Sequence, residues 1–125
     1  FVGCIVYDVH SYNHERWDRK VPLFNIGVER VDMNRFGSVV EHWRSELESI
    51  KLENIENFSS VNNVFYGRGY NLEYITDNFK NTLVLATEVK KVYCNELTGD
   101  DYPNIIKIPV GKSRIVCHLV SGFSC

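Results

Sequence analysis

The sequence predicts an α+β domain, one helix packed on a mainly antiparallel sheet. Three observations lead there. Only one stretch, Phe36 to Ile50, repeats apolar residues at three- and four-residue steps. The other apolar runs are short and bounded by Gly, Pro and Asn signals, as strands are. The chain of 125 residues, 44% hydrophobic and 24% charged, suits a single domain over residues 1–125 with a modest core. No internal repeat, low-complexity stretch or linker divides it.

Val2–Val9 is apolar or alternating and reads as the first strand, and His10–Lys20 is polar and turn-like. Pro22 opens a second strand candidate, Leu23–Val31. Phe36, Val39, Val40, Trp43, Leu47 and Ile50 then form one face of an amphipathic helix. Ser38 with Glu41 has the spacing of a capping box, and Asn34 is an equal candidate for an earlier cap. Arg44 and Glu48 make an exposed i,i+4 pair. Glu53–Asn63 is a polar loop holding the sequon Asn57-Phe58-Ser59.

The remainder reads as strand. Val64–Tyr66 and Leu72–Ile75 flank Gly67 and Gly69; Thr82–Val89 is the strongest run, and Val92–Cys94 follows a bend at Lys90-Lys91. Thr98–Pro103 is a turn, and Ile105–Val110 and Arg114–Val120 form a closing pair through Gly111-Lys112-Ser113.

A formal net charge of −2 provides no global attraction to nucleic acid or to a membrane surface. No run reaches the roughly 18 apolar residues of a membrane span. The chain starts at Phe1 without a signal-type apolar segment, which fits a mature form whose targeting peptide is gone or a sequence from which that peptide was left out. Its four cysteines, Cys4, Cys94, Cys117 and Cys125, favour an oxidising destination. Linking Cys4 to a cysteine near the end closes almost the whole chain. In the chain-entropy account this is worth ~4–5 kcal/mol for a loop of about 100 residues. The competing reading is free thiols or a metal site, but no Cys-x-x-Cys or Cys/His pair has ligand spacing.

The residues alone offer little catalytic chemistry. His10 and His14 have the i,i+4 spacing of a metal pair, but in a segment with loop signals. His42 lies on the polar side of the helix, and His118 opposite the Ile115/Cys117/Leu119 face. Asp100-Asp101 sit in a turn beside Tyr102-Pro103, where turn formation explains them. There is no phosphate loop, dinucleotide fingerprint or nucleophile elbow. No catalytic residue, metal or cofactor is assigned.

The element order and several short stretches resemble the small fungal guanyl-specific ribonucleases. They are still more similar to the ribonuclease-like secreted effectors of powdery mildew fungi. The resemblance covers essentially the whole chain, through Phe1-Val2-Gly3-Cys4, Tyr66-Gly67-Arg68-Gly69-Tyr70-Asn71 and Arg114-Ile115-Val116-Cys117. It implies an N-terminal β-hairpin, one central α-helix packed on an antiparallel sheet, and a Cys4–Cys117 disulfide, which leaves Cys94 with Cys125.

Family catalysis uses a base, an acid and a cation on the developing phosphorane. Arg68 stands where the first catalytic His is expected, and an arginine stays protonated. The stretch matched to the family Glu, Phe79-Lys80-Asn81-Thr82-Leu83, has no carboxylate, and Ile108-Pro109-Val110-Gly111 has no His. Lys90 and Lys91 remain to supply the cation.

The resemblance therefore implies a non-catalytic effector, secreted and translocated into the host plant cell, where it blunts defence; a monomer without membrane contact is expected. The implied partners are host RNA, ribosome-associated proteins and an intracellular plant immune receptor. Tyr66, Arg68, Tyr70, Lys90, Lys91, Lys107, Lys112 and Arg114 are the candidate RNA-binding residues, with Tyr93 nearby in sequence; scattered solvating charges are the plainer reading of the same set. Two alternatives stay open. One is an active guanyl-preferring endoribonuclease using His10, His14 or His118. The other is an unrelated secreted disulfide-bonded binding domain.

Overall fold

The computed structural model describes residues 3–106. The Ile105–Val110 and Arg114–Val120 pair, His118, Cys117, Cys125, Lys107, Lys112 and Arg114 lie outside the described residues, apart from Ile105 and Ile106.

Among the described residues four strands form one mixed sheet in the order β1-β4-β2-β3. They are β1 (Cys4–Tyr12), β2 (Phe24–Gly27), β3 (Ser59–Val61) and β4 (Thr82–Lys90). The α+β class holds, but the sheet is not the expected antiparallel one. β1 runs parallel to β4 over nine residues, from Cys4 opposite Thr82 to Tyr12 opposite Lys90. β2 is antiparallel to β4 and parallel to β3. The expected N-terminal hairpin is also absent, because β4 lies between β1 and β2. Consecutive Leu83, Val84 and Leu85 are all buried. A strand that is apolar on both faces belongs in the middle of a sheet, and β4 takes that place.

Helix α1 (Met33–Glu48) covers one face of the sheet and is the helix read from the sequence. It starts earlier than the Ser38 cap. Asp32 Oδ1 accepts the backbone N–H groups of Asn34 at 3.1 Å and Arg35 at 3.3 Å. Phe36, Val40, Trp43 and Leu47 are its buried side. They pack with Leu83, Leu85 and Val89 of β4 and Phe24 and Ile26 of β2. Trp43 lies against Tyr7 and donates its indole N–H to Thr87 Oγ1 at 3.0 Å. At the other end Asn57 Nδ2 donates to the carbonyls of Leu47 and Ile50, both at 2.8 Å; the Leu47 carbonyl also accepts the Ile50 N–H at 3.2 Å.

The polar side of α1 is solvated, as its sequence suggests. His42 is exposed, and Arg44 bridges Glu41 and Glu48.

A second helix, α2 (Tyr70–Asn78), replaces the strand expected at Leu72–Ile75. Leu72 is its buried residue, and Ile75 and Thr76 are half-buried. Those positions follow the three-to-four-residue step of a helix, not the alternation of a strand. Val64–Tyr66 is likewise irregular loop. A short helix, α3 (Pro103–Ile106), begins where the Ile105 strand was expected.

The Cys4 thiol is free and exposed, so the Cys4–Cys117 bridge is not made in this structure. Buried Cys94 is disulfide-bonded.

Candidate ligand-binding cleft

The sheet face turned away from α1 carries a cleft of about 420 Å³. Strand alternation builds its floor. Leu83, Leu85 and Val89 face α1, so Ala86 and Glu88 face the other side. The parallel register sets Asp8 beside Ala86 and His10 beside Glu88. All four line the cleft, with Gly27 of β2 and Leu72 of α2.

The wall is the segment Val64–Gly69, and buried Asn25 holds it in place. Asn25 accepts the N–H groups of Asn63 at 2.9 Å and Val64 at 3.0 Å, and donates to the carbonyl of Phe65 at 2.9 Å. The backbones of Gly27 and Gly67 then meet directly. A Cβ on Gly27 would fall 2.2 Å from the Gly67 nitrogen, and Gly67 has φ +79°. Only glycine meets both conditions at Gly67. Behind the wall, Tyr12, Val21 and Val64 form a second small core with Trp17 and Phe65. Burial raises the Tyr12 hydroxyl well above the ordinary tyrosine range, and the hydroxyl donates to the Pro22 carbonyl.

The floor is acidic. His10 Nε2 lies 2.9 Å from Asp8 Oδ1. Burial pushes the Glu88 carboxyl up to about 7; neighbouring His10 opposes the shift and Asp8 adds to it. Among the described residues no hydrogen bond or ion pair holds that carboxyl. The one arginine lining the cleft is already engaged. Arg68 Nε lies 2.7 Å from Glu29 Oε2, and its guanidinium stacks 5.0 Å from the centre of the Tyr66 ring.

The sequence-derived residues scatter around this site. Tyr66 and Arg68 line it. Tyr70 is 79% exposed on α2, stacked on Tyr74, and does not line it. Lys90 and Lys91 lie beyond the Tyr12 end of the floor. Lys90 is two residues along β4 from Glu88, roughly 7 Å at the rise of a strand, on the same face but outside the lining. Tyr93 is buried and offers no stacking face. The described cations therefore do not converge on one patch.

His10 and His14 also separate. The His14 ring faces Glu96 at 3.6 Å, and the Glu96 carboxylate accepts the backbone N–H groups of His14 and Glu15. Asn81, where the resemblance expects a carboxylate, accepts from the Arg35 guanidinium at 2.9 Å just before β4.

Sequence reasoning missed Asp8 and Glu88. The signal was present: each is a carboxylate inside an apolar strand run, where a charged side chain calls for a reason. Comparison with known proteins finds no matching family, no matching curated protein and no matching solved structure.

Proposed function

We propose that this chain is a secreted, ribonuclease-like effector of the powdery-mildew type that works inside the host plant cell as a binding module, without cleaving RNA. The observation that carries the reading is the state of Arg68. Tyr66–Gly69, the first part of one stretch that carries the resemblance, lines the cleft, and Arg68 stands where the resemblance sets the family's proton-accepting His. It does not serve as a free cation either, because Glu29 and Tyr66 hold it. Transphosphorylation needs a base, an acid and a cation around one phosphate. The described cleft offers Glu88 and His10 side by side on one floor, and no unpaired guanidinium or ammonium.

The same floor favours one second reading. A carboxyl near neutrality beside an imidazole is an acid–base pair, which an active endoribonuclease would use through Glu88 and His10.

Expression inside plant cells tests the effector role. The wild-type chain should reduce an elicited defence burst or trigger cell death with one of a panel of intracellular immune receptors. Neither effect, from protein shown to accumulate, removes the effector reading.

A further inference from the structure

The cleft differs from a phosphate site in the sign of its field. Asp8 and Glu88 line the floor, and the Arg68 charge on the wall is offset by Glu29. His10 is engaged with Asp8. A polyanion entering here meets two carboxyls and no unpaired cation among the residues that line the cleft; Lys90 stands two residues beyond Glu88 on the same face, outside the lining. A cation meets an acceptor with no hydrogen bond of its own, Glu88, and a second carboxylate one strand away. The wall adds the Tyr66 ring, which is 46% exposed and carries the Arg68 guanidinium on one face only. The volume, about 420 Å³, holds one long side chain, near the small end of ligand sites.

We propose that this cleft takes an arginine side chain presented by a partner protein, with Asp8 and Glu88 as its acceptors and Tyr66 as its aromatic wall. The proposal rests on the binding-module reading and names the partner class as a protein with an exposed arginine. A planar guanidinium offers a fork of donors matched to carboxylates, which a phosphate cannot do.

Binding depends on pH through Glu88. The charged and titratable groups facing it are Asp8, His10 and Tyr12 on β1, Lys90 on its own strand and Arg68 on the wall. Only the ionised carboxyl accepts the full charge of the ligand. With a midpoint of about 7, the ionised fraction falls roughly tenfold from pH 8 to pH 6.

The test is an NMR titration of the isotope-labelled full chain with N-acetyl-arginine amide, followed at backbone amides. Shifts should centre on Asp8, His10, Gly67, Arg68 and Glu88. Affinity should weaken about tenfold from pH 8 to pH 6, in line with loss of the Glu88 charge. Glu88→Gln should flatten most of that dependence, which separates the carboxyl from the His10 imidazole. Asp8→Asn should weaken binding severalfold. If a variant fails to fold, the wild-type pH profile still decides. Shifts spread evenly over exposed carboxylates such as Glu41 and Glu46, or an affinity unchanged with pH, would overturn the proposal. Stronger shifts at the same amides from hexauridylate would also overturn it, in favour of RNA as the ligand. RNA cleavage would instead remove the underlying binding-module reading, so the two failures are distinguishable.

Discussion

Trp43 joins the core to the hydrogen-bond network of the sheet. Its ring is buried under α1, and its N–H is the donor to a buried threonine, Thr87. Trp43→Ala removes the largest side chain of the helical face and leaves the Thr87 hydroxyl without its donor. The expected cost is about 3–5 kcal/mol in denaturant melts. A cost below about 1 kcal/mol would mean this face is not the core. The Trp43 anchor was legible from helical spacing, whereas the partner hydroxyl was not, because Thr87 is 44 residues away.

Glu88 gives a second residue-scale expectation. A carboxyl raised on folding binds its proton more tightly in the native state than in the unfolded one. Its contribution therefore favours folding less as pH rises from the unfolded value near 4.5 to about 7, and is level above that. Glu88→Gln should remove this decline, so the variant should gain stability relative to wild type as pH is raised through that window. Parallel stability curves for the two proteins from pH 4 to pH 8 would contradict the placement of Glu88.

Among the elements, α1 was readable because its six apolar positions outweigh a glycine at position 37. α2 was not, since it buries one side chain fully and follows two glycines, which together imitate a strand between turns. The cleft wall was hidden for a different reason. It depends on a long-range contact between Gly27 and Gly67, and on the amide of Asn25, which looks like an ordinary strand residue in the sequence.

Asn57 supplies the element-scale prediction. Its amide nitrogen closes the C-terminal end of α1 on the Leu47 and Ile50 carbonyls, although the same nitrogen is the glycan acceptor of the sequon. A glycan there would take one of its two protons. The folded protein, made in a glycosylating host, should show no mass loss on treatment with an N-glycosidase. Asn57→Ala should cost about 1–3 kcal/mol, chiefly through the Ile50 carbonyl, which has no other hydrogen-bond donor among the described residues. A fully occupied sequon in protein of unchanged stability would refute this capping role.

At the scale of the whole molecule, composition and periodicity made the α+β class legible, and pairing was not. The apolar run of β4 satisfies both neighbours equally, so nothing local says that β1 runs parallel to it or that β2 runs antiparallel. The acidic cleft follows from that register, because only the β1–β4 pairing sets His10 beside Glu88. Covalent structure belongs to this scale as well. With native protein, an alkylating reagent should label Cys4 and spare Cys94, whose tryptic peptide should be bridged before reduction. A bridged Cys4 would restore the terminal staple expected from the resemblance.

The central proposal is that the cleft serves binding and the chain does not cleave RNA, and product analysis tests it most directly. Purified chain should be incubated with guanosine-containing RNA and the ends characterised. The account predicts no guanosine 2′,3′-cyclic phosphate above background. Each well-placed acid or base is worth ~10²–10⁴-fold, so an active site would be unmistakable. Guanosine-specific ends formed by the wild type and lost in both Glu88→Gln and His10→Ala would contradict it.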